Sequence, residues 1–569
     1  MLKHEGLEKG IQNKRSFKIN KLDIIIILFC IVYFLSVSIF SVLNERVNEP
    51  DTKVIATNTA EKYFYKADYD KSIWEYKKIY EKDKSSIWLV KIAEVYSVKG
   101  DIKASRDYIV KAEGVKDNNA EIENYIVFTE FMNKDYQKAL EDGEKALKRF
   151  PKDKNLIKTM FSVYMSNNKI DSASKLLSSY PVNAKSSYDK AEYARMLILL
   201  DKWDEGIANL YGAWNINKDE AKVYDVISQV SAYQKDDLLK VLLDKLQKDS
   251  NNVAYKLWIA KVYSLDTNTV NEAAKMMTSI EKQDIGKIEP VLIRISILQN
   301  AQNNDAAQNL INKIIEKYPD DYRVLHEASW YFLKQKDFKK AEAYCEKSIL
   351  KNKNYMDNYG FLMPEILKDN GKSLEGEPFF RTAIFKEPYN YNIMINTANY
   401  YWYTAKNINK ALEYYKMAEI ITPNDAEIKY NIALLELADN KPEEAVNVLN
   451  KCISIQDSVP KYHRTLGTIY MTMKNGNTDE AIKQIRYAYQ NDENDILTLN
   501  NAGCYYISIQ EDVERGMFNL QKAYSGINDS TDEYTKATIK ANYEKAKSIY
   551  DQYKKGSGDI KIPDFQLFY

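Results

Sequence analysis

A chain of 569 residues with 81 Lys+Arg balanced by 81 Asp+Glu has no overall basic field, which excludes the usual electrostatic route to nucleic acid. The three histidines, His4, His326 and His463, fall into no metal-ligand spacing, and the four cysteines are too scattered for a disulfide framework. Tyrosine is common, at 45 residues, and ring packing between helices accounts for most of it.

Residues 1–23 carry Lys3, Lys9, Lys14, Arg15, Lys18 and Lys21, and an uncharged run follows from Ile24 to Leu43. At 1.5 Å rise per residue that run spans about 30 Å, the thickness of a bilayer's hydrocarbon core, so 24–43 is expected to be a transmembrane helix. Only Arg46, Lys53 and Lys62 follow it closely. The positive-inside rule then leaves 1–23 in the cytoplasm and sends the rest of the chain outward. A cleaved signal peptide fits less well, because Ser36-Val37-Ser38 is a poor cleavage site and the apolar run continues past it. Phe29 before Cys30 argues against a lipid anchor. A polar stalk, 44–52, leads to the first helices.

Beyond the stalk one pattern recurs, clearest in Ala411, Tyr415, Ala418 and Pro423. Intervals of four and three put the first three on one helix face, and the proline ends the helix. Other copies are Ala139, Leu140, Ala146 and Pro151; Ala307, Ile311, Ile314 and Pro319; and Phe380, Ala383 and Pro388. An apolar helix precedes each copy, as in Leu466-Gly467 and Tyr470 ahead of Ala481, Ile482, Ile485 and Ala488. This helix, turn, helix unit resembles the tetratricopeptide repeat, whose period is about 34 residues. The resemblance covers 53–526 and implies about 14 repeats stacked as an all-α solenoid. The sixth, around Tyr224 to Leu246, is the weakest. In the tenth, Pro364 and Pro378 fall where helix is expected, so a kink or junction is expected over 360–380. Residues 527–555 read as a capping helix. Residues 556–569 read as a flexible tail whose alternating Phe565, Leu567 and Tyr569 suit docking in a groove, its own or a partner's.

Catalytic signatures are missing: there is no Walker loop, nucleophile elbow, dinucleotide fingerprint or paired-histidine zinc motif. No catalytic residue, metal or cofactor is therefore expected, and Cys345, Cys452 and Cys504 read as buried apolar residues. Binding remains. The resemblance implies protein partners held as peptides or helices in a concave groove lined by first helices. Counted from Ala398, the groove positions of the eleventh repeat are Asn392, Asn399, Trp402 and Tyr403. Amides and exposed rings suit an extended peptide or a sugar. Lys461, Arg464 and Asn500 do not reproduce the family's carboxylate clamp. The expected function is a membrane-anchored extracytoplasmic scaffold for proteins of the cell envelope. A component that handles glycan in exopolysaccharide synthesis or export is one alternative, and a cytoplasm-facing signalling adaptor is another.

Overall fold

The computed structural model describes residues 55–115, 117–473, 476–556 and 560–569. The expected N-terminal segment 1–23, membrane span 24–43 and stalk 44–52 lie outside the described residues, among which no helix is long and apolar enough to cross a membrane. The described residues form 28 α-helices and no strand. The last, Glu533–Lys554, stands alone, and Ala221–Lys248 is two helices merged across a kink at Gln234, where φ is −130° and ψ is 39°. The other 26 sort into thirteen helix pairs, and the kinked helix makes a fourteenth, the sixth in chain order.

Each pair closes on small residues. In the eleventh repeat Ala411, Tyr415 and Ala418 are buried on one face of helix Ile408–Ile421. In the fourteenth, a Cβ on Gly503 would come within 2.5 Å of Leu520 Cγ and 2.9 Å of the Gly516 carbonyl, so only glycine lets helices Ile496–Ser508 and Val513–Ser525 meet. The turn inside a pair is commonly closed by one residue at positive φ. Ala67, Lys134, Asp201, Lys336 and Asn440 take this role as well as Gly100, though such residues adopt that conformation less readily than glycine. Second helices start on side-chain caps, as where Asp101 accepts from the Ala104 N–H and Asn407 from the Lys410 N–H.

The tenth repeat is irregular but tightly held. Its first helix begins as a π-helical turn, Asn358–Leu362, and continues as Met363–Asp369 with Pro364 in its first turn. Pro364 has no N–H to give the Gly360 carbonyl four residues back. The Asn396 amide from the next repeat donates to that carbonyl instead, at 2.7 Å. Pro378 likewise lies in the first turn of helix Glu377–Lys386, where its missing N–H costs nothing. The expected kink over 360–380 is thus a pair of helix starts inside the largest hydrophobic cluster, which joins residues 127–197 to 333–435.

That cluster exists because the stack brings the tenth and eleventh repeats against the inner helices of the first six. Phe385 stacks on Tyr125 with centroids 4.1 Å apart and meets Phe128 edge-on at 4.9 Å. Arg381 donates to Ser97 Oγ at 2.8 Å, and Lys134 pairs with Glu413 at 2.7 Å. Buried Lys222 pairs with buried Glu387, whose other oxygen accepts from Asn390 at 2.7 Å. Glu192 accepts from Lys158 at 3.1 Å, Tyr180 at 2.9 Å and Tyr389 at 3.3 Å. Burial alone would raise its carboxyl, but the Lys158 and Lys222 charges hold it below its ordinary value.

Candidate functional site

Two surfaces compete for a binding role, and the chain itself lies in both. The first is the inner face of repeats one to six, filled by the tenth and eleventh as just described. The four groove residues expected in the eleventh repeat divide accordingly. Asn392 is buried; it accepts from Arg195 Nη2 at 3.2 Å and donates to the Gln229 carbonyl at 2.9 Å, so its amide is consumed internally. Asn399 accepts from the Tyr415 hydroxyl at 2.5 Å. Helix Tyr391–Asn399 then passes into a π-helical turn, Tyr400–Thr404. The extra residue of a π turn shifts the register, and carries Trp402 and Tyr403 away from the face that Asn392 occupies. These two rings stack at 4.8 Å, Trp402 half-buried and Tyr403 59% exposed, as a ledge rather than a groove wall.

The second surface lies at the C-terminal end, formed by helices Pro460–Thr472, Ile496–Ser508 and Glu533–Lys554. Where a flexible tail is expected, residues 560–569 run extended along it. The attachment is mostly to backbone. Asn542 Oδ1 accepts from the Gln566 N–H at 3.1 Å, and its Nδ2 donates to the Gln566 carbonyl at 2.6 Å. Two residues on, Asn501 repeats the grip, accepting from the Phe568 N–H at 3.0 Å and donating to its carbonyl at 2.6 Å. A carboxamide presents one acceptor beside one donor, which matches the N–H and C=O that a strand residue turns to one side. Alternate residues of a strand face the same way, so two such amides grip residues 566 and 568.

Neighbours fix both amides. Asn542 Nδ2 also donates to Asn500 Oδ1 at 3.0 Å, and Asn500 Nδ2 reaches the Gln566 carbonyl at 3.2 Å. Asn501 Nδ2 also donates to Thr468 Oγ1 at 2.8 Å, and that hydroxyl lies 2.9 Å from the Phe568 carbonyl. Asn500, Asn501 and Asn542 are all nearly inaccessible to solvent, which leaves the hydrogen bonds free of competition from water. Lys545 adds a bond to the Asp564 carbonyl at 2.7 Å. The tail's side chains take separate pockets: Phe565 and Leu567 pack around Ile507, Leu520 and Ile549, and Phe568 around Leu499, Ala523 and Ile539.

Other residues weighed from the sequence have internal work. Lys461 pairs with Glu427 at 2.6 Å and Arg464 with Asp495, while Asn500 serves the tail. Trp330 Nε1 donates to His326 Nε2 at 3.0 Å, so His326 Nδ1 carries the proton and donates to Asn358 Oδ1 at 2.8 Å; burial lowers its pKa. His463 lies between Gln484 Oε1 and the Asp457 carbonyl. Cys345, Cys452 and Cys504 are free and buried, and burial pushes the Cys452 thiol up to about 12. Glu113, Glu130 and Asp142 bring carboxylate oxygens within 4.8 Å of one another, but the Lys138 ammonium pairs with all three.

Asn501 and Asn542 were missed from the sequence, although a signal existed for part of this groove. The count that gives Asn399 and Tyr403 from Ala398 gives Thr468 and Thr472 from Gly467. Both approach the tail, Thr468 at Phe568 and Thr472 at the Tyr569 hydroxyl, 3.5 Å away.

Residues 130–198 and 294–358 match family models described as tetratricopeptide repeat. No curated protein matches the chain. Among solved structures it is similar to the yeast Tom70, at 14% identity and a TM-score of 0.35 over 90% of this chain and 98% of that one. The Naa15/Naa10 complex bound to HypK-THB matches at 11% identity and a TM-score of 0.38 over 88% and 96%. The Cut9–Hcn1 hetero-tetramer of the APC/C matches at 14% identity and 0.35 over 86% and 95%. The described residues form an all-helical solenoid in which 130–198 and 294–358 carry tetratricopeptide repeats, an architecture suited to protein–protein interaction.

Proposed function

We propose that this chain is a membrane-anchored scaffold without chemistry of its own, whose C-terminal groove holds extended segments of partner proteins in a cell-envelope assembly. The observation behind the binding reading is the hold on residues 566 and 568. Asn501 and Asn542 recognise peptide groups, which every protein segment has, so selectivity falls to the pockets around Phe565, Leu567 and Phe568. A partner strand with apolar side chains at matching positions takes the place of the tail. The uncharged run 24–43 and its basic flank support anchoring with the solenoid outside the cytoplasm, and anchoring raises the effective concentration of whatever the groove holds.

The test removes residues 560–569 and adds them back as a labelled peptide, followed by fluorescence anisotropy. Saturable binding that Asn501→Ala/Asn542→Ala abolishes is expected; a peptide that does not bind the truncated protein overturns the reading. Orientation is checked with single cysteines at Asn44 and Ser557, probed on intact cells by a membrane-impermeant thiol reagent. Buried Cys345, Cys452 and Cys504 give little background. Labelling only after lysis would reverse the orientation and favour a cytoplasmic adaptor. A glycan-handling role has one observation in its favour, the exposed Trp402–Tyr403 ledge, because flat stacked rings suit a sugar face. Retention on immobilised polysaccharide that disappears in Trp402→Ala/Tyr403→Ala would select that reading.

A further inference from the structure

A cavity of about 240 Å³ lies where helix Ala221–Lys248 meets the loop before the tenth repeat. Its wall includes Tyr188, Asp225, Gln229, Tyr322, Tyr355 and Asp357, none of which belongs to the tail groove. Carboxyl groups outnumber ammonium groups there, Glu220, Asp225, Asp357 and Glu387 against Lys222. Lys222, the ammonium in the wall, is committed to Glu387. Asp225 and Asp357 have neither an ion pair nor a hydrogen bond to their carboxylates among the described residues. Gln229 is 7% exposed and its amide oxygen has no donor.

The charges sharpen the imbalance. Burial first and then the Asp357 charge push the Asp225 carboxyl well up; burial and then Glu387 push Asp357 up to about 6. Glu289 acts on Asp225 in the same direction, although Arg323 partly neutralises it at 3.2 Å. The Lys222 charge opposes both shifts, and Lys261 that of Asp357, without cancelling them. Because the Lys222 ammonium is committed to Glu387, two carboxyls lining one cavity with no cation of their own are an arrangement that folding alone does not favour. Aromatic rings complete the wall. Tyr322 and Tyr355 meet edge-to-face at 5.0 Å, and the Lys222 ammonium already lies 5.8 Å from the Tyr188 ring centroid.

Carboxylates with free acceptor positions call for a cation bearing several N–H donors, and ring faces favour an organic cation over a bare metal ion. A water's share of liquid volume is about 30 Å³, so the cavity has room for several heavy atoms. We propose that this cavity binds a small organic cation with a primary ammonium group, which Asp225 and Asp357 receive while Tyr188, Tyr322 and Tyr355 flank its stem. The site lies between repeats far apart in the sequence, so its ligand also fastens the tenth repeat to the sixth.

The test titrates 1,4-diaminobutane into the full chain, with calorimetry and thermal unfolding in parallel and butan-1-ol at constant ionic strength as the control. Saturable heat and a rise in Tm with the diamine alone are expected. Asp225→Asn and Asp357→Asn each remove one of the opposed carboxyls. They should abolish the ligand-induced rise while leaving the ligand-free Tm unchanged or higher. Absence of heat with the wild-type chain overturns the proposal, as does an equal Tm rise in both variants. A lower ligand-free Tm in either variant would identify that carboxylate as structural and overturn it equally.

Discussion

Replacing Asn501 with alanine removes both bonds to Phe568, the 3.0 Å acceptance from its N–H and the 2.6 Å donation to its carbonyl. Each such bond contributes about 1 kcal/mol net, and peptide groups left unpaired in a buried groove add to the loss. Together the change is about 2–3 kcal/mol. A factor of ten corresponds to about 1.4 kcal/mol, so opening of the tail should rise about 30- to 150-fold. Amide hydrogen exchange measures that opening directly when reclosing is fast: the peptide spanning 560–569 should lose protection by that factor, with helix Glu533–Lys554 little changed. Asn519→Ala is the control, because among the described residues that amide donates only to the Arg515 carbonyl of its own helix, at 2.8 Å. Unchanged protection of 560–569 in Asn501→Ala would refute the argument that the asparagines hold the tail.

Lys222→Met leaves Glu387 buried without its cation, a loss of about 3–5 kcal/mol; exchange should accelerate over helix Glu377–Lys386, and the double variant Lys222→Met/Glu387→Leu should recover much of the stability. Glu130 is 2% exposed, and burial, then the Asp142 charge, push its carboxyl from 4.5 up to about 9. The folded chain holds a proton that the unfolded chain releases, so this contribution to stability is complete below the unfolded value and is lost as pH rises through that window. A Tm series should fall less between pH 5 and 9 in Glu130→Gln than in wild type; parallel curves would refute the assignment. Gly503→Ala forces Leu520 and the Gly516 carbonyl apart and should cost about 1–3 kcal/mol, read as a lower denaturation midpoint at unchanged slope.

The helices were legible because each pair repeats the spacing of Ala411, Tyr415 and Ala418, and side chains on one helix face report its period directly. The turns were less so. Lys134, Asp201 and Lys336 carry the left-handed conformation that a sequence reading assigns to glycine, which is one reason the repeats look degenerate. The contact of the tenth and eleventh repeats with the first six was not legible at all. A repeat pattern specifies how neighbours pack, whereas the Arg381–Ser97 bond joins positions 284 residues apart and depends on the path of the whole stack. Asn396 illustrates the same limit: its task, filling in for the N–H missing at Pro364, is set by a neighbouring repeat.

The two occupied grooves differ in how readily they could be vacated, and that difference favours the C-terminal groove as the proposed partner site. Freeing the inner face of repeats one to six would extract whole helices, expose Phe385, Tyr125 and Phe128, and break the Lys222–Glu387 pair inside a low-dielectric seam. Such losses approach the whole stability of a domain. Freeing the C-terminal groove moves one extended segment, residues 560–569, with few long-range bonds among the described residues beyond those to Asn500, Asn501, Asn542 and Lys545. A competing strand that makes the same backbone bonds replaces nearly all that the tail gives up, so the exchange is close to balanced. The tail in turn shields apolar pockets that would otherwise stand open at the end of the stack. A groove with a short, replaceable occupant suits the proposed exchange with a partner strand, whereas a groove filled by folded repeats is part of the core.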